Sequence, residues 1–344
     1  TKLRTHNLGS SRLCTRTITM LAQRHLTRHA AQPRLAAARP RASRRPQQCV
    51  CYVQEAPAIT HTFQETQRTL SIPDLADEDH IRSLLSGKVG ALRFPGFETP
   101  EESAGIVRAL MPLGVDSYQL GNSSLMLETV RNTGNSFQSC CKSEEHLAEY
   151  HEQAKDFTRF MVQLYGREGL TPPVDIFIAQ LCAARKGGAA IMSLQHKQLY
   201  AGIARVFRQM GAILPHNDDL NRELRGAGVL NRVEELAAVD FQGQMGLDLC
   251  HQVPDVGGEL ALWGILMPNA EYAARVKAGG TYGIPFEALP PPPVMIKAAA
   301  GELVLFDSRR MHAVMGVPED QRPRIATSCF TAWCGAEKPL LVWS

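Results

Sequence analysis

The sequence predicts an α+β domain, with helices first and then a half built of short strands. Two patterns carry this. Residues 143–168 space Leu147, Tyr150, Phe157, Phe160, Met161 and Leu164 as one helical face requires. From about residue 189 the pattern becomes short apolar runs separated by Gly, Pro, Asn and Asp, the mark of a sandwich or barrel. At 44% apolar and 21% charged, the 344 residues have the composition of a globular protein. No apolar run is long enough to cross a membrane, so no membrane partner is expected.

Residues 1–54 read as a basic leader, with eleven Lys and Arg and no Asp or Glu. The remaining residues carry 26 basic and 34 acidic side chains, so the overall charge of +3 hides an acidic body of −8. An Arg-rich, Ser-bearing, acid-free leader has the composition of an organelle transit peptide, for a chloroplast or a mitochondrion. The rival reading is a basic arm for nucleic acid. It fits less well, because the body shows no companion basic stripe, and no nucleic-acid partner is expected. The nine cysteines include Cys14, Cys49 and Cys51 in the leader and the adjacent pair Cys140-Cys141. None has zinc-site spacing, and they read as reduced thiols.

Residues 55–70 read as a polar linker and 71–344 as the domain, helical over 71–188 and mainly β over 189–344. The segment Ile72–Ser86 is expected to be helical, with Asp74 or Asp77 as its N-cap. Val89–Phe94 reads as a strand punctuated by Pro95-Gly96. Thr99 then caps a helix with Pro100 at its first position and Glu101 and Glu102 in its first turn. A further helix is expected over Ile176–Ala184. The expected strands are Gln244–Val253, Glu259–Trp263, Val294–Lys297, Glu302–Phe306 and Ile325–Trp333. Pro254–Gly258 reads as a hairpin loop between the first two, and Pro290–Pro293 as a stiff spacer.

The chemistry centres on His216 and Asp218, two apart, which leave the same face of a strand. Such a pair alone is weak, since it fits a solvated loop equally well. His312 follows 96 residues later, behind the strand-like run 301–306. Two imidazoles and one carboxylate make the facial triad that holds a non-heme Fe(II) with positions left open. Arg324 opens the next strand, and one hairpin would set it beside His312. A guanidinium deep in a barrel needs a bidentate anion, which a dicarboxylate co-substrate supplies. Gln244, Asp248 and Gln252 alternate to one side. Asp248 reads either as a cavity group or as part of an exposed sheet face. Trp263 reads as core rather than as a substrate platform. Arg309-Arg310 reads as a solvated pair, with a role in fixing a carboxylate substrate as the alternative.

Taken together, these residues resemble the Fe(II)/2-oxoglutarate-dependent oxygenases of the double-stranded β-helix, or jelly-roll, fold. The resemblance spans most of residues 87–344 and includes the entry segment Val89–Ser103. Four stretches, His251–Trp263, Tyr282–Pro285, Gly301–Val314 and Pro339–Ser344, resemble the branch containing the welwitindolinone-type halogenase and its hydroxylase relatives. The resemblance implies a jelly-roll core with flanking N-terminal helices. It implies Fe(II) on His216, Asp218 and His312, with Arg324 on the distal carboxylate of 2-oxoglutarate. O2 would be the oxidant and a small molecule the substrate, hydroxylated at an unactivated C–H bond as 2-oxoglutarate is decarboxylated to succinate. Halogenases of this branch carry Gly or Ala where Asp218 stands, so hydroxylation is favoured. Many relatives place Ser two residues after the arginine, where this chain has Ala326; Thr327 or Ser328 is the expected substitute. Arg205, where relatives also carry Arg, is a weaker candidate for substrate or co-substrate contact. The alternative is a cupin-like β-barrel that binds a metal or ligand without oxygenase activity.

Overall fold

A computed structural model describes residues 62–344, apart from 120–125, 132, 135, 138–142, 195, 209–210, 221–239 and 280–282. The basic leader, the Cys140-Cys141 pair and Tyr282 therefore lie outside the described residues.

The chain enters through β1 (Arg68–Thr69) and a 3-10 turn over Ile72–Ala76. Then α1 (Glu78–Leu85) starts at Asp77, whose side chain accepts from the amide of Asp79. The expected single helix is thus two pieces, because Ser71 and Asp74 form a separate cap ahead of the 3-10 turn. Next come β2 (Ala91–Phe94) and α2 (Pro100–Leu110). Thr99 and Glu102 close a reciprocal capping box at the start of α2, as the sequence predicts. Two strands absent from the sequence reading follow, β3 (Val115–Gln119) and β4 (Met126–Val130). Helix α3 (Glu144–Arg167) and helix α4 (Pro173–Ala184) complete the helical layer.

The second half supplies the barrel. Its strands are β5 (Ala189–Ile191), β6 (Ser193–Leu194), β7 (Lys197–Gln198), β8 (Ile203–Phe207), β9 (Ile213–His216), β10 (Gly243–Gln252) and β11 (Leu260–Leu262). After α5 (Asn269–Gly279) come β12 (Val294–Ile296), β13 (Glu302–Asp307), β14 (His312–Val314), β15 (Arg324–Trp333) and β16 (Leu340–Trp343). The major sheet runs β1-β2-β13-β10-β15-β8-β4-β3, with β16 on the distal half of β15 and β5 beside β16. The minor sheet runs β12-β11-β14-β9. Consecutive strands alternate between the sheets, β10 to β11 and β13 to β14 to β15. This is the winding of a double-stranded β-helix.

That winding corrects two expectations. Pro254–Gly258 is no hairpin, because β10 pairs with β13 and β15 while β11 pairs with β12 and β14. The segment arches from one sheet to the other. Gly257 and Gly258 take φ of 79° and 72° to make the arch, a conformation that glycine adopts at little cost. Likewise, Arg324 is not on the strand beside His312. The two stand on opposite sheets and both face the interior.

Side-chain alternation sorts the core into layers. On β13, Val304 and Phe306 join Phe207, Leu260, Leu262, Val294, Ile296 and Val314 between the sheets. Leu303 and Leu305 turn outward into a cluster under the helices with Phe177 and Leu181 of α4. Outside the minor sheet, Trp263 packs with Met311, Ala313 and Ile284, and its Nε1 donates to Pro290 O at 2.7 Å. Trp263 is core, as expected.

Candidate metal centre

The two histidines meet because the minor sheet puts them opposite each other. His216 ends β9, His312 begins β14, and they are direct cross-strand partners. Their rings lie 4.2 Å apart between centroids. His312 has Leu262 as its partner on the other side, so it faces the interior with the apolar residues of the barrel. Asp218 lies just past the end of β9 rather than within it. Its carboxylate oxygen Oδ2 stands 3.3 Å from Nε2 of both His216 and His312. Two ligands bound at right angles about 2.1 Å from one ion would sit about 3 Å apart, so this spacing suits a shared metal.

Hydrogen bonds fix which ring nitrogens face the centre. His216 Nδ1 donates to Leu214 O at 2.8 Å, and His312 Nδ1 donates to Arg310 O at 2.9 Å. A carbonyl only accepts, so the proton of each neutral ring sits on Nδ1 and the Nε2 lone pair points at Asp218. All three side chains are buried. Burial opposes ionisation of Asp218, but His216 and then His312 outweigh it and hold the carboxyl well below its usual range. Burial first, and the neighbouring His216 ring second, lower the pKa of His312, which favours the neutral ring that a metal needs. Two neutral imidazoles and one carboxylate fit a divalent iron-type ion.

Three residues hold this arrangement without touching an ion. The Asp218 amide donates to Ser308 O at 2.8 Å, and Ser308 Oγ donates back to Asp218 O at 3.3 Å. Gln244, from the middle of the major sheet, donates to Asp218 O and Ser308 Oγ and accepts from the Leu220 amide. Phe306 lies against the His312 ring at 4.8 Å. Gly246 makes room for it, since a Cβ there would stand 2.8 Å from Phe306 Cε1. The alternation of Gln244 marks an inward face, but its partners across the barrel leave no trace in the sequence.

On the opposite sheet, Arg324 is buried at 3% exposure, with its guanidinium 5.1 Å from the ring of Phe207. Its Nη2 donates to Asp248 Oδ2 and contacts Cys250 Sγ at 3.3 Å. Asp248 is therefore an interior group and not part of an exposed face. Arg205 reaches Ser328 at 3.4 Å, two residues along from Phe207 on the same inner face. Thr327 turns the other way, so of the two expected substitutes only Ser328 faces the interior. Thr327 Oγ1 lies 2.7 Å from His251 Nε2, and His251 Nδ1 lies 2.9 Å from Glu98 Oε2. His251 sits in a bulge between Cys250 and Gln252, and this outer anchor turns Cys250 inward to Arg324. Nothing in the sequence pairs Glu98 with His251, which lie 153 residues apart. Arg309 is about one-fifth exposed and Arg310 is buried, and both are paired with Asp307 rather than standing as a free solvated pair. Arg310 also donates to Gly264 O at 3.0 Å.

No curated protein matches the chain. Among solved structures, the chain is similar to an N-substituted L-amino acid dioxygenase from Burkholderia ambifaria AMMD. The TM-score is 0.51 at 17% identity, covering 77% of this chain and 91% of that one. The same dioxygenase with α-ketoglutarate bound gives a TM-score of 0.49 at 15% identity, covering 77% and 90%. HygX from Streptomyces hygroscopicus, with nickel and 2-oxoglutarate, gives 0.39 at 12% identity, covering 74% and 85%. The first of these supports the fold. The family model for the carrier-protein-independent halogenase WelO5 matches residues 71–344, and the chain belongs to that family.

Proposed function

We propose that the protein is an Fe(II)- and 2-oxoglutarate-dependent oxygenase that hydroxylates an unactivated C–H bond of a small molecule. The observation that carries this is the cross-strand pair His216 and His312 with the Asp218 carboxylate 3.3 Å from both. These three side chains would hold the iron, and Arg324 would take the distal carboxylate of 2-oxoglutarate. Bound iron supplies activation of O2, coupled to decarboxylation of 2-oxoglutarate to succinate and CO2. The chain's own residues orient and exclude. The Nδ1 hydrogen bonds aim both imidazoles, Gln244 and Ser308 fix the aspartate loop, and Phe306 with Leu262 screens His312 from water.

Asp218 favours hydroxylation over the halogenation for which the family is named. By that resemblance, the Asp218 carboxylate would fill the place that the Gly or Ala of the halogenases leaves open for a halide. The basic leader supports delivery to an organelle. Among the described residues no helix is long and apolar enough to cross a membrane.

Anaerobic titration with Fe(II) and then 2-oxoglutarate tests the reading. A weak visible charge-transfer band is expected in the wild type and not in His216→Ala. Its absence from the wild type would leave the cupin-like alternative standing. Adding chloride or bromide is expected to leave the wild-type band unmoved, and a halide-dependent shift would overturn the preference for hydroxylation.

A further inference from the structure

The guanidinium expected to receive the co-substrate already holds an anion belonging to the protein. Nη2 of Arg324 donates to Asp248 Oδ2, while Nε and Nη1 have no hydrogen-bond partner among the described residues. A guanidinium grips a carboxylate through one of two forks, Nε with Nη2 or Nη1 with Nη2. Both forks need Nη2, and Asp248 takes one of its hydrogens. A dicarboxylate docking on Arg324 thus shares the guanidinium with a second carboxylate in a buried, weakly screened interior.

We propose that Asp248 is a built-in competitor for the distal carboxylate, weakening the hold of Arg324 on both 2-oxoglutarate and succinate. This inference rests on the oxygenase reading above. In the ligand-free protein the pair leaves neither buried charge uncompensated, and breaking such a pair is costly. When a dicarboxylate arrives, Arg324 divides its hydrogen bonds between two anions that repel each other. When succinate leaves, Asp248 is in place to neutralise the arginine, so the product is released without stranding a buried cation. Among the described residues no other group in contact with the guanidinium fills this role. Cys250 also touches Nη2, but burial pushes its thiol up to about 12 and keeps it neutral. Phe207 offers only its ring face.

The test is Asp248→Asn, which keeps the size and an acceptor oxygen while removing the charge. Calorimetric titrations of the anaerobic Fe(II) protein would use 2-oxoglutarate, succinate and 2-oxobutyrate, which lacks the distal carboxylate. The variant is expected to bind both dicarboxylates about tenfold tighter or more, the scale of one like-charge contact in a partly screened interior. Binding of 2-oxobutyrate is expected to stay unchanged. Unchanged or weaker binding of 2-oxoglutarate would overturn the proposal and leave Asp248 as a positioning residue for Arg324. Equal tightening of 2-oxobutyrate would overturn it too, since the effect would then not act through the distal carboxylate. If the Asn variant does not fold, Asp248→Ser is judged by the same criterion. A wild type that binds neither iron nor 2-oxoglutarate would defeat the oxygenase reading itself, an outcome distinct from either failure above.

Discussion

Replacing Gln244 with methionine keeps the length of the side chain and removes three hydrogen bonds behind the metal centre. Gln244 Nε2 donates to Asp218 O at 3.2 Å and to Ser308 Oγ at 3.0 Å, and Oε1 accepts from the Leu220 amide at 2.9 Å. After the change, Asp218 O still has Ser308 Oγ at 3.3 Å, but the buried Leu220 amide loses the acceptor that Gln244 provides. Orphaning one buried donor costs about 1–3 kcal/mol, and the apolar methionine restores none of the lost hydrogen bonds. The metal-free protein should therefore unfold in urea with about 2 kcal/mol less stability. The larger effect should fall on iron. The loop carrying the Asp218 carboxylate loses its tie to β10 and keeps only the one to Ser308, whereas both imidazoles keep their backbone acceptors. Fe(II) affinity, measured anaerobically by competition with a chromogenic chelator, should drop about 10- to 100-fold, the range for partners of metal ligands. A methionine variant that loses stability yet binds Fe(II) like the wild type would refute the idea that Gln244 holds the aspartate in place.

Two further outcomes are expected. Gly246→Ala drives a methyl group into Phe306, at a cost of about 1–3 kcal/mol, and pushes that ring toward His312. Stability and Fe(II) affinity should both fall and both recover in Gly246→Ala with Phe306→Leu; failure of the double variant to recover would show that the contact is not the cause. The metal-free protein should also lose stability as the pH drops. Burial, then the charge of Lys197, lowers the pKa of His151; burial, then His216, lowers that of His312. The unfolded chain takes up protons near the ordinary value of 6.5 that the fold refuses, so stability present above 6.5 is lost below it. Urea midpoints at about pH 7.5 and 5.5 would check this, with His312→Gln giving a shallower decline, and a flat wild-type profile would contradict it.

Much of the helical layer is legible because its signals are local. Thr99, Pro100 and Glu102 specify the start of α2 within four consecutive residues, and the apolar stripe over 143–168 marks the span of α3. The strands of the second half are legible as apolar runs, since both faces of β10 and β13 are covered. What a run of apolar residues does not encode is which sheet it joins. Pro254–Gly258 has the composition of a hairpin loop yet links strands of different sheets, because partner choice depends on residues far along the chain. Arg309 and Arg310 are misread for the same reason. Their exposure is set by Asp307 and by the chain packed over them, not by their own charge.

The sequence by itself determined the chemistry available here: two histidines, one aspartate where halogenating relatives have none, and a lone arginine opening a late strand. Donor type and residue identity are properties of the chain, and folding does not change them. Only the tertiary structure decided that His216 and His312 are cross-strand partners, that Nδ1 hydrogen bonds turn both Nε2 atoms to Asp218, and that Arg324 reaches the same interior from the opposite sheet. It also decided that Asp248 lies on that arginine. The physical reason is that a jelly roll builds its interior from strands about a hundred residues apart, so a site's geometry emerges only when the two sheets close on each other.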